Sequence, residues 1–391
     1  MELTCVFEEG NQNTIQEAID RCPESGGTVI VPAGEWKSGR LLLKSNLTLC
    51  LEEGCTIHFS DDRNDYLPVV FTRWEGVECY NYSPLIYAYG CRNITICGKG
   101  ILDGCGQSWW GWKKLQQNAA DRLCCAESLG IQPGERVFGT EADALRPSFL
   151  QLIHCEHVVL RDFQIQDGPQ WTIHPVYCHH VQVQGVRIVT HGPNTDGINP
   201  DSCEDVLIEN CTFDTGDDCI AVNSGLNEDG WRVNRPCRQV EICGCRFLGG
   251  HAAVAIGSGM SGGVENVKIH DCTIRNTERG IRIKSMPGRG GYVRNVDCWN
   301  MTMEQVREEG IQVSMNYGSS TAVPVSRKAP VFSDIAFHNI RISGARTGVE
   351  LCGLRESPIE VELDEVKIEA ETRIRTEYGS VMGKSEKRGQ A

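Results

Sequence analysis

The chain has 391 residues and a formal net charge of −14. That charge disfavours nucleic acid and anionic membrane surfaces as partners. No apolar run approaches the roughly 20 residues a helix needs to span a bilayer. The 21 cysteines allow two readings, a disulfide-laced secreted protein or a reduced chain using Cys as a small core residue. The start MELTCVFEEG has no basic stretch leading into an apolar one, so no signal peptide is visible and a cytoplasmic setting is expected.

Thr14 to Arg21 reads as a short amphipathic helix placed before the strands, a suitable cap for the open end of a repeat array. An insertion, Gly104 to Pro147, carries Trp109, Trp110 and Trp112. From Asn93 onwards a strand of the form x-[V/I]-x-[I/L/V]-x-[N/D/G] returns, starting at His157, His180, Asp205, Gln239, Asn266, Asn295, Asp334 and Glu360. The successive starts from His157 lie 23 to 39 residues apart. A second apolar residue follows each strand: Ile165, Ile188, Phe213, Phe247, Ile274, Met303, Ile342 and Ile368. Such self-similarity means stacked coils, none of which can bury its face alone. Alternation at period two sends Val and Ile inward. The expectation is an all-β solenoid, a right-handed parallel β-helix with a short N-terminal cap helix. It forms one domain over 1–378, followed by a polar tail over 379–391. Cys155, Cys178, Cys203 and Cys237 each precede a strand at the same phase, which predicts ladders of free thiols.

Four polar clusters fall on consecutive coils. They are Asn194-Thr195-Asp196, Gly216-Asp217-Asp218, Gly250-His251 and Arg282-Ile283-Lys284. Asp196 lies 16 residues after its repeat start, Asp217 and Asp218 lie 12 and 13, His251 lies 12, and Arg282 and Lys284 lie 16 and 18. Stacked strands are about 4.7–4.9 Å apart, so four coils span roughly 15 Å. Arg282 and Lys284 should face the same side, with Ile283 inward. Asp217 and Asp218 are adjacent and share a face only if the chain bends near Gly216. Close carboxylates push one pKa up, leaving an acid beside a base, which is what inverting glycoside hydrolysis uses. Between Arg279 and Arg294 there are five basic residues and no acidic one, which suggests an anionic ligand.

At these residues the chain resembles glycoside hydrolase family 28, the polygalacturonases and their relatives, whose ordered motifs are N-T-D, G/Q-D-D, G/S-H-G and R-I-K. Gly26 to Gly34 is similar to that family's amino-terminal coil. The resemblance implies Asp217 as general acid, Asp196 and Asp218 as the pair that activates water, and His251 beside the acid. It implies Arg282 and Lys284 as binders of the uronate carboxylate, with Asn194 and Tyr317 also at the substrate. It further implies a pectic oligosaccharide substrate, inversion, and no metal or cofactor. Ala252 stands where the family has Gly. The Gly104–Pro147 insertion and the segment Asn223 to Cys237 resemble those of bacterial members acting from the chain end; the tryptophans either wall the cleft or pack the insertion. Rhamnogalacturonan or xylogalacturonan hydrolysis, lyase-like elimination and simple polysaccharide binding stand as alternatives. The sequence sets no oligomeric state.

Overall fold

The computed structural model describes residues 1–6, 11–318 and 326–383. Its strands stack in parallel register, and the repeat positions form unbroken columns. One column runs Ile94, Val158, Val181, Val206, Val240, Val267, Val296, Ile335, Val361. A second joins Leu102, Ile165, Ile188, Phe213, Phe247 and Ile274, and it includes a Phe213–Phe247 ring stack at 5.3 Å. A third joins Ile220, Val254, Ile281, Ile311, Val349 and Ile374. Three such runs enclose one apolar core, and the chain is a right-handed parallel β-helix.

The corners explain the rest of the repeat pattern. His157, His180, Asp205, Gln239, Asn266 and Asn295, each the first residue of a repeat, all have φ between 55° and 59°. This is left-handed backbone, which Asn and Asp tolerate better than most residues. Corner amides also bond from coil to coil, as Asn339 Nδ2 to Asn300 Oδ1 at 2.8 Å does. The cysteine ladder is present as expected, with all 21 thiols free. Cys178 Sγ donates to the Leu152 carbonyl at 3.1 Å and Cys203 Sγ to Pro175 at 3.2 Å.

The two ends differ. At the amino end the helix Thr14–Arg21 buries Ile15, Ala18 and Ile19 against the first coil. At the other end the strand Lys367–Glu377 is nearly all exposed. The boundary expected at 379 is too early. Gly379–Met382 forms a further strand paired with Ile359–Glu362, because Val381 extends the Val361 column. Residues 384–391 of the expected tail lie outside the described residues.

Three segments stand off the barrel near its middle. An antiparallel hairpin, Val70–Trp74 with Val77–Asn81, turns at Glu75-Gly76. The first insertion contains the helix Gln117–Cys125 and the second the helix Asn227–Val233. The tryptophans pack rather than wall a cleft. Trp109 is buried against Tyr66 and Tyr82, and Trp112 lies 5.1 Å from Trp109.

Candidate active site

Asp196 precedes Ile198 by two residues, and Asp218 precedes Ile220 by two. Ile198 and Ile220 are bridged in register, so Asp196 and Asp218 stack at one phase. The bend expected at Gly216 is present. The strand Thr212–Thr215 ends there, and the next begins at Ile220. A Cβ at Gly216 would meet the Gly192 carbonyl at 2.4 Å and Thr195 Oγ1 at 2.7 Å, so only glycine allows the two corners to approach. This brings Asp217 and Asp218 to the same side. One oxygen each of Asp196, Asp217 and Asp218 lies within 4.8 Å of the others, a set that can also hold a cation.

Each carboxylate is tethered differently. Asn199 Nδ2 donates to Asp196 at 2.8 Å. Lys284 Nζ donates to Asp218 at 2.7 Å, nearly shut from solvent. Asp217 shares a 3.0 Å contact with His251 Nδ1, accepts the Asp218 amide at 2.9 Å and receives Asn194 Nδ2 at 3.4 Å. Asp218 Oδ1 is buried with no hydrogen-bond partner among the described residues.

The electrostatics follow from these tethers. Burial, then the charges of Asp217 and Asp218, push Asp196 well above the usual carboxylate range. Burial also works against a charged Asp217, but the His251 hydrogen bond and charge, with Lys284, bring it below its ordinary value. The same bond raises His251. Burial opposes the charge of Lys284, yet Asp218 outweighs it and holds the ammonium protonated. Asp196 therefore holds a proton more tightly than its neighbours, while Asp217 and His251 each favour the charged form of the other. Groups this close titrate as a unit.

Ala221, in the pocket wall, begins an outward row of in-register residues that continues through Ala255, Arg282, Gln312 and Glu350. The small Ala221 side chain borders a hollow of about 130 Å³, lined by Trp171, Asn194, the three aspartates, Ser258, Lys284, Arg289 and Tyr317, among others. His251 stands behind Asp217 rather than in the wall. Arg282 is at the rim, where its Nε donates to Gln312 at 2.8 Å and its guanidinium lies 5.2 Å from the Tyr317 ring. Ala252 opens a buried strand and its carbonyl accepts the Cys219 amide, so the missing glycine leaves the corner intact.

Residues 138–382 match the sequence profile of the Glycosyl hydrolases family 28. The chain belongs to that family. A probable polygalacturonase of Vitis vinifera is 31% identical over 357 residues, covering 89% of this chain and 67% of its own length. An exo-poly-alpha-D-galacturonosidase of Dickeya chrysanthemi is 27% identical, covering 88% and 62%. The chain thus spans about two thirds of the length of these curated relatives. The crystal structure of a hyperthermoactive exopolygalacturonase from Thermotoga maritima superposes with a TM-score of 0.92 at 33% identity, covering 98% of this chain and 90% of that one.

For this family 28 glycoside hydrolase, all four sequence clusters do converge, but the basic run does not act as one patch. Arg294 pairs with Glu265, and Arg279 with Glu309 at 2.7 Å. Only Arg282, Lys284 and Arg289 reach the site, because the other two arginines meet an acidic neighbour at the same phase of an adjacent coil. Sequence reasoning missed Glu75, Lys113 and Arg146. Glu75 and Lys113 line the pocket from the hairpin and the first insertion. Arg146 is buried and donates to Asn194 Oδ1 at 2.9 Å, holding that amide in place. No repeat phase marks these three, although Trp-Glu-Gly between alternating strands is a hairpin signal.

Proposed function

We propose that the chain hydrolyses α-1,4-galacturonosidic bonds of oligo- and polygalacturonate with inversion, from the chain end. The observation that carries this reading is the acid triad with a buried Lys284 on one of its members and a histidine on another. Asp217 is the most accessible of the tethered pair, with a side chain 19% exposed against 3% for Asp218, and it protonates the leaving oxygen. Its proton is drawn from the pair with His251: a protonated imidazole beside a carboxylate is one proton shift from neutral imidazole beside the acid. Asp196 and Asp218 hold a water, and the Asp218 carboxylate takes its proton as the water attacks the anomeric carbon. Lys284, Arg282 and Tyr317 hold the uronate on the leaving-group side.

Carboxyl separation alone argues otherwise. Inverting enzymes usually place the pair about 6.5–9.5 Å apart, to admit water, and these oxygens are closer. The tethers support inversion nonetheless. Asp218 is neutralised by Lys284, and Asp196 is held near its proton, so neither is a free nucleophile. Proton NMR of the first-formed anomer tests this, and a retained configuration would sink it.

Action at the chain end is supported by the segments outside the solenoid that border the hollow, the hairpin tip at Glu75-Gly76, Lys113 and Leu226. On long polygalacturonate, free galacturonate should accumulate with little loss of viscosity. An early viscosity collapse would mean internal cleavage, and new ultraviolet absorbance from a double bond would mean elimination. The free thiols support a reducing compartment as the place of action.

A further inference from the structure

The hairpin tip is fixed from every side. Arg73 Nη1, fully buried, donates to Asp201 Oδ1 and to Ser202 Oγ, both at 2.9 Å. Trp74 Nε1 donates to the Arg146 carbonyl at 3.0 Å. The Leu226 amide donates to the Gly76 carbonyl at 3.0 Å. Glu78 receives Arg232, and its amide is held by Asp229, which in turn pairs with Arg136 at 2.6 Å. The two insertions and the barrel therefore clamp a turn whose one outward product is Glu75, a residue with φ 43°. Glu75 Oε1 is buried without a hydrogen-bond partner among the described residues, and the residue lines the pocket with Lys113.

A rigidly held carboxyl with an open oxygen inside a sugar pocket awaits a donor. The charged groups facing it are Lys113, Arg146 and Asp217; burial pushes its carboxyl up and the two cations oppose that. A uronate carboxylate is a poor partner for Glu75 and a good one for Lys113. What remains for Glu75 is a sugar hydroxyl. In a 1,4-linked chain every internal 4-oxygen is bonded to the next sugar. Only the non-reducing terminal sugar presents a 4-hydroxyl.

We propose that Glu75 reads the chain end, accepting the free 4-hydroxyl of the terminal galacturonate while Lys113 meets that sugar's carboxylate. This rests on galacturonate oligomers being the substrate. It places a specificity-determining residue on an element outside the solenoid repeat.

The test compares wild type, Glu75→Gln, Glu75→Ala and Lys113→Met on two trimers. One is trigalacturonate; the other has a C4–C5 double bond and no 4-hydroxyl in its terminal sugar. Wild type should prefer the saturated trimer at least tenfold in kcat/KM. Glu75→Ala should collapse that preference towards unity by raising KM for the saturated trimer alone, with an unchanged melting temperature. The isosteric Glu75→Gln should keep part of it, and Lys113→Met should weaken both trimers alike. Equal losses on both trimers in Glu75→Ala and Glu75→Gln, or no loss on either, would overturn the assignment. If wild type and the inactive control Asp217→Asn are equally silent on both trimers, the substrate reading itself fails.

Discussion

Two hollows on this β-helix differ in size and in kind. The larger, about 640 Å³, lies over the outer face of the first strand run, lined by His157, His180, Asp205, Gln239, Asn266 and their neighbours. The smaller, about 130 Å³, holds the aspartates. In the large groove each coil contributes the same kind of group at the same phase, and those groups satisfy one another. His157 stacks on His180 at 4.8 Å, His180 bonds Asp205, and Asn295 bonds Asn266. The groove is the repeat seen from outside. The pocket exists where the repeat is interrupted, by outward alanines, a glycine corner and three overhanging segments. Its charges are buried and tethered, and it keeps open oxygens on Asp218 and Glu75. Chemistry follows the unsatisfied groups, not the volume.

Substitutions can break that contrast. The largest effect belongs to Asp217→Asn, which should lower kcat by about 10²–10⁴-fold, the range for losing an acid/base group, with little change in KM. Retention of a tenth of the activity would remove Asp217 from the acid role. Next is Arg73→Met, which leaves Asp201 buried without its partner. Breaking such a pair costs about 3–5 kcal/mol, so the melting temperature should fall by several degrees, and an unchanged melting curve would show the hairpin anchor to be idle.

His251→Gln should act on pH dependence. The Asp217 contact raises the imidazole above its ordinary value, about 6.5 in the unfolded chain. The proton, and the stability that goes with it, is fully present below that value and lost as pH rises through the raised one. Wild-type kcat/KM should therefore fall on the alkaline side as His251 deprotonates, and His251→Gln should lose that limb. A limb that survives the substitution belongs to another group. The smallest effect should be His180→Ala with Asp205→Ala in the large groove. Exposed pairs contribute about 0–1 kcal/mol, and activity on galacturonate oligomers should stay within experimental error; a clear loss there would make the groove part of the substrate path.

The barrel was legible because one strand pattern recurs with its spacing varied only by loops, so two of the three columns can be read from the repeat; the third, from Ile220 to Ile374, follows corners of varying length and shows no fixed phase. The site was legible for the same reason: Asp196, Asp217, Asp218, His251 and Lys284 ride on the coils. Glu75, Lys113 and Arg146 ride on insertions, where no phase relates one residue to another and only tertiary packing brings them in. The basic run was misread for want of one step. Arg294 stands opposite Glu265 on the preceding coil and Arg279 pairs with Glu309 on the following one, so counting one coil in either direction would have exposed both partners.

The exposed strand Lys367–Glu377 has a consequence of its own. A stack of equal layers is a crystal growing along one axis, and an exposed terminal layer is a template for the next. At the amino end a helix covers that template. At the other end Lys367, Glu369, Glu371, Arg373, Arg375 and Glu377 place a charge on every second residue of the last long strand, nearly all in water. Another chain docking there would have to match alternating charge sequences and strip their hydration. The two described faces are thus blunted by different means, a lid on one and a charged rim on the other.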